Sequence, residues 1–204
     1  MTDTLAHIAP LSTPEGDLPL YRLSVTQYHA LIAAGVLPAD ASIELVEGIL
    51  IHKMPKHEPH IFLVEQLRDW LLSLRLEGLL IRTEGVITLA DSAPEPDVFI
   101  ARGTREMYRA RGAHPRADEV LFVAEVSDAT LSLDRGRKLR AYARAGIPVY
   151  WIINLNDESI ELHSAPHPPE ERYLQRVVFR RGESVPLEID GRVVGAAWVS
   201  DLFG

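Results

Sequence analysis

Two apolar runs separated by one helix-length segment constrain this fold more than any other feature of the chain. Val120-Leu121-Phe122-Val123-Ala124-Glu125-Val126-Ser127 reads as a core strand apolar on both faces, with Glu125 its one charged residue. Val149-Tyr150-Trp151-Ile152-Ile153 reads as a second. Between them, Ser132 to Ala145 has helical spacing and is stopped by Gly146 and Pro148. Strand, helix, strand implies a parallel crossover, and with it a mixed sheet of the α/β or α+β class.

The remaining elements follow from periodicity and punctuation. Ser24-Val25-Thr26-Gln27 has capping-box spacing and opens a short helix ending near Gly35. Ser42 to His52 reads as strands turned at Glu47-Gly48. A long amphipathic helix from about Pro59 to Gly78 presents Ile61, Val64, Leu67, Leu71 and Leu74. Strands are predicted at Leu79–Leu89, Pro96–Ala101, Ser159–His163, Tyr173–Phe179 and Val185–Ile189, and a short terminal helix at Ala196–Phe203. Residues 1–20 mix Pro, Gly, Ser and Thr with acids, which predicts a loose arm before a single domain spanning 21–204.

The chain has 204 residues, enough for one substantial core, and no cysteine, which excludes thiolate metal sites and cysteine nucleophiles. No apolar stretch reaches membrane-spanning length and no leader pattern opens the chain, so a cytoplasmic protein without a membrane partner is expected. Formal net charge is -8, which does not advertise a nucleic-acid binder. The distribution says more than the sum. Arg102, Arg105, Arg109, Arg111 and Arg116 follow one acid-bearing strand; Arg135, Arg137, Lys138, Arg140 and Arg144 follow the other. Each stretch is either a solvated, salt-bridged face or a local positive surface that guides a polyanion toward the acids. Arg102 and Arg135 head the two stretches and are taken as substrate contacts.

An ionised carboxylate in a core strand costs several kcal/mol unless something compensates it, and Asp97, leading Val98-Phe99-Ile100-Ala101, repeats the pattern of Glu125. Two carboxylates from neighbouring strands can hold a hard divalent cation through oxygen, typically Mg²⁺ with several waters retained. Asp134, Lys138 and Tyr142 lie at i, i+4 and i+8 on one helix face, and a crossover helix packs over its preceding strand. Lys138 can therefore return its ammonium toward Glu125, with Tyr142 beside it as a further substrate contact; a surface pair with Asp134 is the plain alternative. Acids, ammonium and cation together suit phosphodiester hydrolysis. His57 and His60 stand i, i+3 at a helix start, and His60 is kept as a substrate contact. Tyr150-Trp151 is read as core rather than a base-stacking platform.

Pro96-Asp97, followed by Glu125-Val126-Ser127, resembles a variant of the PD-(D/E)XK nuclease signature. With Ile43-Glu44-Leu45-Val46-Glu47-Gly48, His60 and the stretch from Asp134 to Trp151, the chain more specifically resembles the Uma-type restriction endonuclease family over roughly Tyr21 to Asp157. The resemblance implies a restriction-endonuclease-like core, a mixed central sheet flanked by helices. It implies a DNA endonuclease using Mg²⁺, or Mn²⁺ in its place, with Asp97 and Glu125 as metal ligands. Glu44 matches the family's additional acid, with Glu47 the competing residue. Ser127 stands where the superfamily carries its lysine, and Lys138 is implied as the replacement. Glu44, Asp97, Glu125 and Lys138 are thus the expected catalytic set, and cutting both strands makes a homodimer a plausible assembly. The competing expectation is a catalytically degenerate nuclease-fold module that binds DNA or a protein partner.

Overall fold

The computed structural model describes residues 20–38 and 41–204. The arm expected over 1–20 lies, apart from Leu20, outside them. In chain order come α1 (Val25–Ala33), β1 (Ile43–Val46), β2 (Ile49–His52), α2 (Glu58–Ser73), β3 (Leu79–Thr83), β4 (Val98–Arg102), α3 (Arg105–Arg111) and β5 (Val120–Ser127). There follow α4 (Leu131–Leu133), a π-helical turn (Asp134–Lys138), α5 (Leu139–Arg144), β6 (Val149–Asn154), β7 (Ser159–His167), β8 (Arg172–Arg180), β9 (Ser184–Ile189), β10 (Arg192–Trp198) and α6 (Val199–Phe203).

Six strands form one sheet in the order β3-β4-β5-β6-β7-β8, with β1–β2 and β9–β10 as separate hairpins. Only β5 and β6 run parallel, and the other four junctions of the sheet are antiparallel. The apolar pair of runs thus produced the crossover they imply: every residue of β5 and β6 is buried. Leu63, Val64, Leu67 and Leu71 of α2, the β9–β10 hairpin and α6 cover one face of the sheet. Trp151 anchors that side, stacked on Trp70 at 5.9 Å and edge-on to Phe122 at 5.1 Å. On the other face Phe99, Val123, Tyr150 and Ile152 meet Ala141, Tyr142 and Ala143 of α5.

At α1 the capping box forms in full, Ser24 Oγ accepting from the Gln27 N–H while the Gln27 side chain accepts from the Ser24 N–H. Elsewhere boundaries moved. The strand expected over Leu79–Leu89 ends at Thr83, where its pairing with Val98 begins β4. Ile87 and Leu89 bond instead to Pro94 and Ser92 within a tight loop and bury there, so alternation marked burial without a ladder. The long helix stops at Ser73, and Arg75 takes φ +48°. Its inward face is turned by one step, with Leu63 buried and Ile61 exposed. Ala196–Trp198 belongs to β10 rather than to a helix, which starts only at Val199.

Candidate active site

Register decides where the two strand acids lie. Val98 pairs with Ala124 across the antiparallel β4–β5 junction, so Asp97, one residue earlier, stands across from Glu125. Opposed residues of such a pair share a face about 4.5–5.5 Å apart. Asp97 Oδ2 also accepts from the Val126 backbone N–H at 2.8 Å, which locks its carboxyl against β5. A third acid arrives through a separate hairpin. Leu45 of β1 bridges Ala93, and Glu44 Oε2 accepts from the Glu95 N–H at 3.0 Å.

The amine comes from the crossover. After β5, Asp134 is pinned by Ser127 Oγ at 2.8 Å and Thr130 Oγ1 at 2.7 Å, while its carbonyl accepts from the Tyr150 hydroxyl at 3.1 Å. The Leu139 N–H reaches back five residues to the Asp134 carbonyl, closing the π turn that ends at Lys138. Lys138 Nζ lies 3.0 Å from Glu125 Oε1 and 3.0 Å from Glu44 Oε1. The surface pair with Asp134 does not form; that carboxylate is held by the two hydroxyls. Tyr142, one turn further on, donates its hydroxyl to the same Glu125 Oε1 at 2.6 Å.

Lys138, Glu44 and Glu125 are only 6%, 2% and 3% exposed, so their charges interact with little screening. Burial works against the Lys138 charge, but Glu125, Glu44, Asp134 and Asp97 outweigh it and hold the ammonium well above the usual lysine range. Burial raises the Glu125 carboxyl well above its ordinary value against the pull of Lys138, and Asp134 is raised by burial as well. Asp97 goes the other way. Burial alone would raise it, but His60 Nε2 at 3.2 Å and Lys56 Nζ at 2.9 Å bring it down to about 2. An ionised Asp97 can only accept, so the His60 ring donates through Nε2.

Glu44, Asp97, Glu125, Lys138 and His60 line one cavity of about 430 Å³, together with Lys56, Glu84 and Glu95. Among the described residues no three His, Cys, Asp or Glu side chains are gathered as a metal cage. Mg²⁺ does not need one: it is held by one or two carboxylates, with water and substrate phosphate completing the shell. Asp97 and Glu125 fit that mode in donor type and in shared access to the cavity. The bonds to Lys138 and Tyr142 both end on Glu125 Oε1, and neither involves its other oxygen.

Three expected substrate contacts fall elsewhere. Arg102 sits at the far end of β4, paired with Asp190 at 2.5 Å, because the four residues between it and Asp97 extend along the strand. Arg135 points toward β7 and is ion-paired with buried Glu161. Tyr142 is fully buried beneath Glu125 and cannot reach a ligand. Lys56, which sequence reasoning did not single out, touches Asp97 and also pairs with Glu84 at 2.7 Å. Its one signal was the run of Lys53, Lys56, His57 and His60 across the start of α2. Glu47 takes the turn role, at φ +51°.

No curated protein matches this sequence. Among solved structures, the fold is similar to that of a crystal structure from Anabaena variabilis described as "a putative nuclease belonging to DUF820", with a TM-score of 0.66 and 14% identity over 89% of this chain and 97% of that one. The family model described as "Putative restriction endonuclease", Uma2, matches residues 25–192, a span holding both hairpin acid and crossover lysine. The chain belongs to the Uma2 family.

Proposed function

We propose that this chain is a divalent-metal-dependent endonuclease hydrolysing phosphodiester bonds of DNA. The observation that carries the reading is the buried Lys138 ammonium, 3.0 Å from Glu125 and facing the cavity that also receives Asp97 from the adjacent strand. Membership of a family described as restriction endonucleases supports DNA as the substrate. Asp97 and Glu125 would hold Mg²⁺ or Mn²⁺, which when bound polarises a phosphoryl oxygen and acidifies an attacking water.

The chain's own groups have separable tasks. Lys138 keeps its proton, so it neutralises charge developing on the phosphate rather than accepting a proton from water. A unit charge at ~4 Å in an effective dielectric near 20 is worth about 4 kcal/mol, enough to change a barrier by orders of magnitude. Glu44 holds the ammonium in place from the opposite side, and Tyr142 fixes the Glu125 carboxyl. His60 and Lys56 keep Asp97 ionised and ready to accept a cation. Two such chains, each facing one strand, would cut a duplex.

The test is cleavage of supercoiled plasmid by the full chain in Mg²⁺ or Mn²⁺, with chelator as control. Nicking or linearisation is the expected result, and Glu125→Gln or Asp97→Asn should lower the rate at least about 100-fold. No cleavage under any divalent ion would overturn the reading. A non-cutting nuclease-fold module is the second reading, favoured by an ammonium that already neutralises Glu44 and Glu125. Calorimetric titration with Mn²⁺ separates the two, because a degenerate site takes up no ion.

A further inference from the structure

Asp97 has one oxygen left to offer a divalent ion, and Lys56 already holds it. Oδ2 is filled, accepting from the Val126 backbone N–H at 2.8 Å and from His60 Nε2 at 3.2 Å. A carboxylate oxygen has about two lone-pair sites, so those two donors saturate that side. Oδ1 accepts from Lys56 Nζ at 2.9 Å. An ammonium and a divalent ion on one buried oxygen would repel each other with little screening, so an ion needs Lys56 to withdraw. The lysine has somewhere to go. Its Nζ also reaches Glu84 Oε1 at 2.7 Å, and the Glu84 N–H is fastened to the Asp97 carbonyl at 3.2 Å. The Glu84 side chain is exposed and that of Asp97 is buried, so Lys56 spans from the wall of the cavity to its rim. Its backbone lies between β2 and α2, outside any helix or strand. Lys138 differs on this point, because both of its acceptors, Glu44 and Glu125, are buried.

We propose that Lys56 yields Asp97 Oδ1 to the divalent ion and, still tethered to Glu84, turns its ammonium to the phosphate of the DNA substrate. The inference rests on the proposed nuclease reading for both ion and ligand. A hard ion held by one or two carboxylates completes its shell with water and substrate phosphate, which brings the phosphate beside Asp97 and within the sweep of the lysine. Lysine binds phosphate as a point charge with three rotatable donors, so the contact survives a change of position that a planar guanidinium would not. The two cavity lysines then divide the work. Lys138 stays fixed between Glu44 and Glu125 throughout, whereas Lys56 is released to phosphate only once the ion is in place. Tight DNA binding is thereby made conditional on the ion.

The test pairs calorimetric titration of the full chain with Mn²⁺ and fluorescence anisotropy of a labelled duplex. An ion that binds only when Lys56 has withdrawn has its affinity reduced by the fraction of chains in which it has done so. Lys56→Gln lifts that reduction, and its Mn²⁺ affinity should rise about tenfold, a gain that loss of folding cannot imitate. Duplex affinity should move the other way. At saturating Ca²⁺, with the duplex checked intact on a gel, Lys56→Gln should weaken binding about tenfold and reduce the slope of log K against log salt by about 1. Lys56→Arg keeps the charge and should restore most of that affinity. Unchanged or weaker Mn²⁺ binding in Lys56→Gln, in a wild type that binds Mn²⁺ and cuts plasmid, overturns this inference and leaves the nuclease reading standing. A rise in Mn²⁺ affinity with unchanged duplex affinity overturns the phosphate contact. Opposite shifts in the two affinities, in a chain that never cuts, sink the nuclease reading and leave the exchange standing. No Mn²⁺ uptake by either form overturns both.

Discussion

Lys138 and Asp97 face opposite electrostatic problems, and each is solved by the other's kind of charge. The lysine sits among carboxylates and stays protonated; the aspartate sits between a lysine and a histidine and stays ionised. Lys138→Met should abolish cleavage and leave Glu44 and Glu125 buried without their cation, a loss of about 3–5 kcal/mol readable in urea melts. The double change Lys138→Met with Glu125→Gln should recover part of that stability and none of the activity. For Asp97 the folded-state pKa is about 2 against an ordinary 3.8. The stabilisation this confers, roughly 2 kcal/mol, is complete above about pH 4 and is lost as pH falls through the folded value near 2. A carbon-detected NMR titration should show that midpoint rising in His60→Gln. These charges were only half legible in the sequence: a carboxylate in an apolar run announces that it needs a partner. Of the partners of Asp97, His60 stands in the first turn of α2, whereas Lys56 comes from the proline-broken segment before it, whose path no periodicity encodes.

The π turn is the element on which the site depends. An uninterrupted α-helix from Leu131 would align Asp134, Lys138 and Tyr142 along one stripe, as their spacing suggests; the extra residue in the turn displaces that stripe. Asp134 is thereby left to Ser127 and Thr130, while Lys138 and Tyr142 both reach Glu125. Ser127 thus anchors, through Asp134, the helical turn that carries Lys138. Tyr142→Phe should lower the cleavage rate while leaving DNA affinity unchanged, because the hydroxyl orients Glu125 without touching ligand. Two glycines make a contrasting pair. Gly136 lies inside the turn with open space where a Cβ would stand, so Gly136→Ala should stabilise by up to ~1 kcal/mol. Gly48, at φ +73°, would put a Cβ 2.6 Å from that of Arg22. Gly48→Ala should lower the melting temperature and shift the hairpin that carries Glu44.

For the whole molecule, net charge and local charge give opposite signals. An overall -8 would repel a polyanion at long range, while Lys56 and Lys138 at the cavity would attract it within a Debye length, about 8 Å at physiological salt. DNA binding should therefore fall steeply with ionic strength despite the acidic composition. Bound metal should stabilise the folded chain by mass action, raising the melting temperature in millimolar Mn²⁺. That rise should vanish in the Asp97→Asn, Glu125→Gln double variant, and its persistence there would move the ion elsewhere. Gel filtration with and without duplex tests whether two chains assemble on one site.

From the sequence alone came the central parallel pair, its strands apolar on both faces, and the separate facts that Glu125 and Asp97 are out of place as surface charges, while Lys138 stayed open between the core and a surface pair with Asp134. Those are local matters, settled by periodicity and by the cost of burying charge along a strand. Long-range placement belonged to the tertiary structure. Register set Asp97 opposite Glu125, a separate hairpin delivered Glu44, and the π turn swung Lys138 inward while sending Arg135 to Glu161. Distances between residues tens of positions apart depend on how elements pack, and one residue of slip or one extra residue in a helical turn re-aims every side chain that follows.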